Sequence, residues 1–331
     1  MKHLILVGAC YLDTILTVPH FPDEDSKLRA TALQVRRGGN CPNSLEVLAQ
    51  LVARGPQRLP IQLHLVSCLP DARSAATRKI LSSFGNGNGD GDGNGDGNGD
   101  GLGCDIDFSH CLYREGYEQP ASCYIVRSGE TGSRTIVNFN DLPEMTAGEF
   151  EEIADAFTKH GGDECWWHFE GRIPETTLRC IRYLRRVTPA STISVEVENP
   201  HREGLVELAA EADAVFYSRS WAERVVGRRA KNISEPRAHN SGILSQSRGG
   251  IIVKGGAGLL ALQSGEYIHH PAAPSGETIS VVDTIGAGDT FIAAMLYGLH
   301  ADAWSRETKL AFGVGLATKK VQTEGFAGLV T

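Results

Sequence analysis

The sequence predicts an α/β fold in which helices cover both faces of a mainly parallel β-sheet. Short apolar runs alternate with stretches of helical periodicity along most of the chain, which is typical of strand–helix–strand units. Glycine-rich or polar segments follow several of the apolar runs, at the end of the strands where open α/β sheets bind ligands. With 331 residues, the chain is long enough to bury one large core or two unequal cores.

The predicted elements follow from the length and the period of each apolar pattern. Strands are predicted at residues 4–8, 63–67, 167–170, 193–197, 214–217 and 251–254. Helices are predicted at residues 43–53, 147–160, 175–186, 221–226 and 290–300, and residues 71–84 also have a helical pattern. Residues 27–35 and 122–139 alternate like β-strands and break this rhythm. They predict a small second sheet that lies as a lid over the main domain, with strands near 14–37 and 110–140.

Composition limits the classes of function. The net charge of −8 argues against nucleic acid as the main partner, and the apolar runs are far shorter than the about 20 residues that span a membrane. The apolar N-terminus is short and Asp13 follows it, which favours a first strand over a signal peptide. Eight cysteines at irregular spacing, without a C-x-x-C pair, predict reduced thiols in a cytoplasmic protein.

Residues 85–103 form a low-complexity insertion of Gly, Asn and Asp. The segment has no β-branched or aromatic side chain to bury, which predicts a disordered surface insertion. Oxygen ligands at alternate positions, from Asp90 through Asp92 and Asn94 to Asp96, resemble an EF-hand calcium loop. However, the twelfth position is Gly101 instead of the glutamate that such a loop requires.

Residues 283–289 read DTIGAGD, between an apolar run and a predicted helix. Gly286, Ala287 and Gly288 leave their backbone amides open to an anion, and the helix that follows adds the positive end of its dipole. A carboxylate beside such an anion site, at Asp289, predicts a general base for phosphoryl transfer. The alternative is a glycine-rich turn with an aspartate near the helix start.

A second segment with binding chemistry begins at Gly38 and contains Gly39, Asn40 and Asn43. Two amide side chains three residues apart can grip vicinal hydroxyls, because each amide both donates and accepts hydrogen bonds. Asn40 could instead cap the next helix. Asp13, after the first strand, is either a ligand-binding carboxylate or a turn residue.

The DTIGAGD and GGNCPN segments resemble the two signatures of the ribokinase-like (PfkB) carbohydrate kinases, and they occur in the same order. The resemblance extends over nearly the whole chain apart from residues 85–103. It implies one kinase domain over 1–331, with a three-layer α/β/α sandwich and a small β-sheet lid. Several stretches are most similar to the ketohexokinase (hepatic-type fructokinase) branch: 37–44, 132–136, 141–143, 168–172, 194–198, 282–291 and 325–328.

This resemblance implies an activity and a role for each candidate residue. It implies ATP-dependent phosphorylation of fructose at the 1-hydroxyl, with Asp289 as the base, by a homodimer whose lid sheets clasp each other. The implied sugar-binding residues are Asp13, Gly39, Asn40, Asn43 and Asp289. The implied nucleotide-binding residues are Arg134, Lys254, Gly255, Gly256, Ala257 and Gly258, together with Gly286, Ala287 and Gly288.

Each of the nucleotide assignments has a competing interpretation. An isolated arginine such as Arg134 is usually a solvated surface charge, and residues 254–258 could be a plain hairpin turn.

The implied cofactors besides ATP are Mg²⁺ and, as an activator, K⁺. Residues 218–221 lack the N-x-x-E motif by which many family members arrange magnesium, so Glu196 and Glu198 are candidate partners through water.

Two other functions remain open at this point. The chain could be another ribokinase-like sugar or nucleoside kinase. It could also be a non-catalytic regulator that binds a sugar, although a pure binder has little use for a base beside an anion site.

Overall fold

The computed structural model describes residues 1–85, 105–158, 163–225, 251–254, 257–261, 267–273 and 279–330. Within these residues, nine strands form the main sheet, in the order β15-β14-β13-β12-β11-β10-β1-β4-β6. Its strands are β1 (Lys2–Val7), β4 (Ile61–Val66), β6 (Ile106–Asp107), β10 (Glu164–Glu170), β11 (Thr192–Val197), β12 (Ala214–Ser218), β13 (Ile251–Lys254), β14 (Ala257–Ala261) and β15 (Tyr267–Pro271). Neighbouring strands are parallel except for β13–β14 and β14–β15.

Helices cover both faces of this sheet. They are α1 (Asn40–Arg54), α2 (Ala75–Ser82), α3 (Ala147–Thr158), α4 (Pro174–Val187), α5 (Leu205–Glu211), α6 (Arg219–Val225), α7 (Ala287–His300) and α8 (Arg306–Val321). In β1, Leu4 and Leu6 pack in one core with α1, α7 and α8, whereas Ile5 and Val7 pack in the other with α3, α4 and α5. Because both faces of the strand are buried from Leu4 to Val7, these four residues are all apolar.

A separate four-stranded sheet forms the predicted lid. Its strands are β2 (Tyr11–Val18), β3 (Ala32–Gly38), β8 (Ala121–Ser128) and β9 (Arg134–Phe139), in the order β3-β2-β8-β9. Two short strands, β5 (Cys68–Leu69) and β7 (Leu112–Tyr113), pair beside it. The three-layer sandwich with a small β-sheet lid is thus confirmed, whereas a single domain over 1–331 stays a prediction.

Helices α5 and α8 and strands β14 and β15 are among the elements that the sequence patterns missed. Helix α8 contains Gly313 and Gly315, and glycine lowers helix propensity. Gly313 is required by close packing, since a Cβ at this position would lie 2.9 Å from the sulfur of Met295 in α7. The packing of two helices, which a local pattern does not contain, explains this miss.

Several expectations concern residues outside the described part of the chain. The proposed insertion at 85–103 lies there except for Gly85, as does the calcium alternative with Asp90, Asp92, Asn94 and Asp96. The seven cysteines of the described residues are all free thiols. Among the described helices, none combines the length and the apolar character needed to cross a bilayer.

Candidate active site

The DTIGAGD segment forms a tight turn that leads into α7. Gly286 is the N-cap residue, with φ 78° and ψ 5°, in the left-handed region that favours glycine. A Cβ at Gly286 would lie 2.2 Å from the ring of Phe326, so the turn has no room for a side chain. Ala287 and Gly288 begin the helix, and Asp289 lies in its first turn with only 7% of its surface exposed. The expected glycine turn at a helix N-terminus, with a carboxylate in the first helical turn, is therefore present, and anion binding there stays a prediction.

The two sequence signatures meet at this carboxylate. The Asn43 side-chain amide donates a hydrogen bond to Oδ2 of Asp289 at 2.8 Å, across 246 residues of sequence. The hydroxyl of Ser44, the next residue in α1, donates to the backbone carbonyl of Asp289 at 3.0 Å. Both bonds are buried. They hold the starts of α1 and α7 together, so that the two signatures form one site.

Arg37 fixes the orientation of the Asn43 amide. Its Nη1 donates to Oδ1 of Asn43 at 3.2 Å, and its Nη2 forms an ion pair with Glu46. The guanidinium also lies over the ring of Phe84, 4.3 Å from the centroid. Because the carbonyl oxygen of Asn43 accepts from Arg37, its NH₂ group must face Asp289. Sequence reasoning missed the role of Arg37, although the residue directly precedes the two glycines of the signature.

Asn40 faces a cluster of carboxylates. Its NH₂ group donates to Glu196 at 3.0 Å and to Glu198 at 2.8 Å. Glu170, at the end of β10, accepts a hydrogen bond from the Ala9 amide at 2.8 Å. Burial, together with the negative charges of Glu196 and Glu198, raises the pKa of Glu170 to about 7, although the Arg172 charge opposes this shift. The Glu196 and Glu198 carboxylates therefore lie near enough to Glu170 for their charges to add to the effect of burial on its pKa.

Glu170 also lines a cleft. The cleft lies at the carboxyl ends of β1, β4 and β10, where Asn140 and Arg172 are further lining residues. Sequence reasoning did not select Glu170 by itself. The only available signal was its position at the end of a predicted strand.

Asp13 lies on the lid strand β2, and its carboxylate is buried against Gly38. Burial raises the pKa of Asp13, although the Arg36 charge lowers it. Its Oδ1 atom has no hydrogen-bond partner among the described residues. A buried oxygen without a partner is costly, so a ligand hydroxyl that donates to Oδ1 would be stabilised there. The adjacent Gly39 has φ 106° and lets the chain pass close to the Ala9 carbonyl.

Three arginines reach from the lid to the residues that precede the anion site. Arg36 pairs with Asp283 at 3.3 Å, and Arg127 donates to the Val282 carbonyl at 3.2 Å. Nη1 of Arg134 lies 3.4 Å from Oγ1 of Thr284. The contacts bring positive charge from three different lid strands to residues 282–284, just before the turn at Gly286.

A buried ion pair anchors the same segment. Lys320 is fully buried in α8, and its Nζ donates to Oδ2 of Asp283 at 2.9 Å and to the Asp283 carbonyl at 3.1 Å. A third bond at 3.2 Å reaches the carbonyl of Thr323. Burial raises the pKa of Asp283, but the hydrogen bond from Lys320 and other polar contacts lower it overall. Sequence reasoning missed Lys320, because a lysine near a helix end is usually exposed.

The segment predicted to bind nucleotide is described only in part. Lys254 ends β13, Ala257 begins β14, and the two strands pair antiparallel, as in the hairpin alternative. Gly258 packs against α8, where a Cβ would lie 2.5 Å from Val314. Gly255 and Gly256 lie outside the described residues. The nucleotide role of this segment therefore stays a prediction.

Comparison with known proteins agrees with this geometry. The family model described as "pfkB family carbohydrate kinase" matches residues 103–330. The chain belongs to this family. Mouse ketohexokinase is 29% identical over 341 residues, with 99% of each chain covered.

Solved structures similar to this member of the pfkB family support the ribokinase-like fold. Ribokinase from Giardia lamblia superposes with a TM-score of 0.71 at 15% identity, covering 100% of this chain and 97% of that one. Arabidopsis thaliana ribokinase, solved with ribose and ATP, gives 0.68 at 19% identity, covering 98% and 94%. A nucleoside kinase from Methanocaldococcus jannaschii gives 0.67 at 18% identity, covering 100% and 95%.

Proposed function

We propose that the protein transfers the terminal phosphoryl group of ATP to the 1-hydroxyl of fructose, giving fructose 1-phosphate and ADP. The observation that carries this proposal is the buried hydrogen bond between Asn43 and Asp289 at the start of α7. It joins a hydroxyl-binding motif to a carboxylate beside an anion site, as phosphorylation of an alcohol requires. The choice of a ketohexose depends on the similarity to mouse ketohexokinase along the whole chain.

In this proposal the sugar lies between the lid and the starts of α1 and α7. The unpartnered Oδ1 of Asp13 accepts a sugar hydroxyl. Asn40 and Asn43 orient further hydroxyls, and Gly39 permits a close approach to the backbone. The carboxylates that hold the Asn40 amide fix its orientation before the sugar binds.

Asp289 then accepts the proton of the attacking 1-hydroxyl. The carboxylate is buried and held by Asn43, so little reorganisation is needed for this proton transfer. The amides of Gly286, Ala287 and Gly288 stabilise the negative charge on the phosphoryl group during its transfer. Arg134 and Lys254, with the segment 255–258, would hold the remaining phosphates and the nucleotide.

The acidic cluster around Asn40 suits a hydrated magnesium ion. Mg²⁺ prefers oxygen ligands and keeps several waters, and the carboxylates of Glu170, Glu196 and Glu198 lie near one another there. Glu196 and Glu198 would contact its water shell. Bound with ATP, Mg²⁺ would offset the charge of the phosphates. Activation by K⁺ remains a prediction.

An ADP-release assay tests the substrate class. The full-length protein is incubated with Mg²⁺ and ATP together with fructose, ribose, adenosine or glucose at equal concentrations. We expect the highest kcat/KM with fructose. Preference for ribose or adenosine would favour another ribokinase-like kinase, whereas fructose binding by calorimetry without ADP release would favour a non-catalytic sugar sensor.

Replacing Arg134 by Gln should weaken nucleotide binding more than sugar binding. Arg134 is exposed, so we expect KM for ATP to rise by about tenfold, near the lower limit for a charge-assisted hydrogen bond, while KM for fructose changes little. Steady-state kinetics with each substrate varied in turn measures both values. Arg73→Gln is a suitable control, because Arg73 is highly exposed and pairs only locally with Asp71. An unchanged KM for ATP would remove Arg134 from the nucleotide site.

The lid also supports the proposal of a homodimer. Strand register puts Val35, Tyr124 and Val137 in one row across the lid, and Leu33 and Phe139 lie on the same face. All five side chains are exposed, and an apolar face of this kind is typical of a protein interface.

We therefore expect a solution mass near twice 35.6 kDa for the wild-type protein. Val137→Arg should convert it to a monomer, as measured by size-exclusion chromatography with light scattering. Val281→Arg is the matched control, because Val281 is equally exposed but lies outside the lid sheet. A wild-type monomer at micromolar concentration would contradict the homodimer.

A further inference from the structure

A cluster of three histidines and two aspartates lies near the outer edge of the main sheet, on the side covered by α3. His64 of β4 is 4% exposed, and its Nδ1 lies 3.1 Å from the carboxylate of Asp107 in β6. One potential ligand atom each from His64, Asp107 and His110 lies within 4.8 Å of the other two. We propose that these three side chains bind one divalent transition-metal ion, a site that is separate from the kinase site.

The hydrogen bonds of His64 extend to a second histidine and a second carboxylate. Nε2 of His64 lies 2.8 Å from Nδ1 of His3, and Nε2 of His3 lies 3.3 Å from Asp163. Asp163 also accepts a hydrogen bond from the N-terminal amine of Met1. The result is a chain of three contacts, from Asp107 through His64 and His3 to Asp163.

One contact in this chain lacks a proton, and a cation can occupy that position. Three hydrogen bonds need three protons, but two neutral imidazoles supply only two. If His64 donates to Asp107 and His3 donates to His64, the contact that lacks a proton is the 3.3 Å one between His3 and Asp163. If His3 instead donates to Asp163, it must accept from Nε2 of His64. Nδ1 of His64 then presents a lone pair to the carboxylate of Asp107. Two acceptors that face each other repel unless a proton or a metal ion lies between them.

The surroundings favour a metal ion over the extra proton. His64 is 4% exposed, and burial disfavours the charged imidazolium form of its ring. The Asp107 carboxylate accepts a hydrogen bond from the Ser109 amide at 2.8 Å, which favours its ionised form. Phe157 of α3 packs against His64 and His110, with ring centroids 5.0 and 4.7 Å away. This apolar wall fixes the two rings on one side of the site.

The ligand set indicates the class of metal. Two imidazole nitrogens and one carboxylate suit Zn²⁺ or another late first-row divalent ion, whereas Mg²⁺ and Ca²⁺ prefer oxygen ligands only. Asp107 and His110 are partly exposed, so an ion can enter from solvent and keep a water as a further ligand. His3 would act as the outer-shell partner that orients His64, and Asp163 would orient His3 in turn.

Zinc titration of the full-length protein tests this site. The protein is treated with a chelator, desalted into a nucleotide-free buffer, and titrated with Zn²⁺ against a chromophoric chelator. We expect one tight equivalent in the wild-type protein. His110→Ala should weaken it by at least about 100-fold, because loss of an outer-shell partner alone costs about 10- to 100-fold in metal affinity. His3→Gln should fall within that 10- to 100-fold range.

His269→Ala is the matched control, because His269 is an exposed histidine on β15, at the other edge of the sheet. It should leave zinc binding unchanged. His110→Ala removes a partly exposed side chain, and a thermal midpoint without metal close to the wild-type value verifies its folding. With Co²⁺ in place of Zn²⁺, the visible spectrum should lack the thiolate charge-transfer band that binding to cysteine produces.

Three outcomes would overturn the proposal. The first is wild-type binding no tighter than that of His110→Ala. The second is a cobalt spectrum with thiolate charge transfer that persists in His110→Ala. The third is an NMR experiment in which the His64 ring titrates near neutral pH while the protein binds no metal. A proton would then occupy the contact between His64 and Asp107. Fructose phosphorylation is not a readout in any of these measurements, so the result does not depend on the proposed kinase activity.

Discussion

Asp289→Asn is expected to lower kcat for fructose phosphorylation by about 10²- to 10⁴-fold, the range that general base catalysis contributes. The substitution keeps the shape of the side chain and removes only the ability to accept the proton of the attacking hydroxyl. Its remaining carbonyl oxygen can still accept from Asn43, which donates to Asp289 at 2.8 Å in the wild-type protein. The turn at Gly286 and the start of α7 should therefore persist.

Two measurements separate the loss of a base from the loss of the site. Coupled detection of ADP gives kcat, and calorimetry with fructose in the absence of ATP gives the affinity for the sugar. We expect fructose affinity within about threefold of wild type, since only one of several sugar contacts changes character. Asp302→Asn, at an exposed aspartate paired with Lys2, should match the wild type in both measurements. Wild-type turnover in Asp289→Asn would exclude Asp289 as the base.

Lys320→Met is expected to lower the free energy of unfolding by about 3–5 kcal/mol, because it leaves the carboxylate of Asp283 buried with its main cationic partner removed. Lys320 is 0% exposed and Asp283 is 4% exposed, so water cannot replace the missing ammonium without rearrangement. Arg36 and the amides of Ile285 and Gly325 would still contact Asp283. Because these contacts remain, we expect the loss of unfolding free energy to lie near the lower limit of this range.

Urea denaturation of the full-length protein measures this change. Lys319→Met, at the neighbouring exposed lysine of α8, should change the unfolding free energy by no more than about 1 kcal/mol. Adding Asp283→Asn to Lys320→Met should recover part of the loss, since the uncompensated charge is then gone. Equal stability of Lys320→Met and Lys319→Met would mean that the buried pair does not anchor the DTIGAGD segment.

The parts of the site that sequence could predict are those whose chemistry is local. The glycines before Asp289 predict an anion site, and the two amides after Gly39 predict a hydroxyl-binding site. Each motif spans only a few residues. The pairing of Asn43 with Asp289 needed the fold, because 246 residues separate the two. The two motifs occur in the order found in the family, and the structure shows the contact between them.

The residues that sequence reasoning missed act through tertiary contacts. Arg37 and Lys320 look like ordinary surface charges in the sequence, yet both are buried and each orients a residue of the site. Burial is the main cause of the raised pKa of Glu170, and the charges of Glu196 and Glu198 add to it. Helix α8 was missed because its two glycines lower helix propensity, and of these only Gly313 packs closely against α7. Local sequence patterns thus predicted the core strands and the two motifs. The charged residues that support the site could be identified only from the tertiary structure.

The most direct test of the proposed reaction is the position of the phosphoryl group in the product. Fructose labelled with ¹³C at carbon 1 is incubated with the full-length protein, Mg²⁺ and ATP, and the product is examined by ¹³C NMR. The account predicts that the labelled carbon becomes split by coupling to phosphorus, and that Asp289→Asn gives no such signal in the same time. A phosphorylated product whose labelled carbon stays unsplit, or no product from fructose at all, would contradict it.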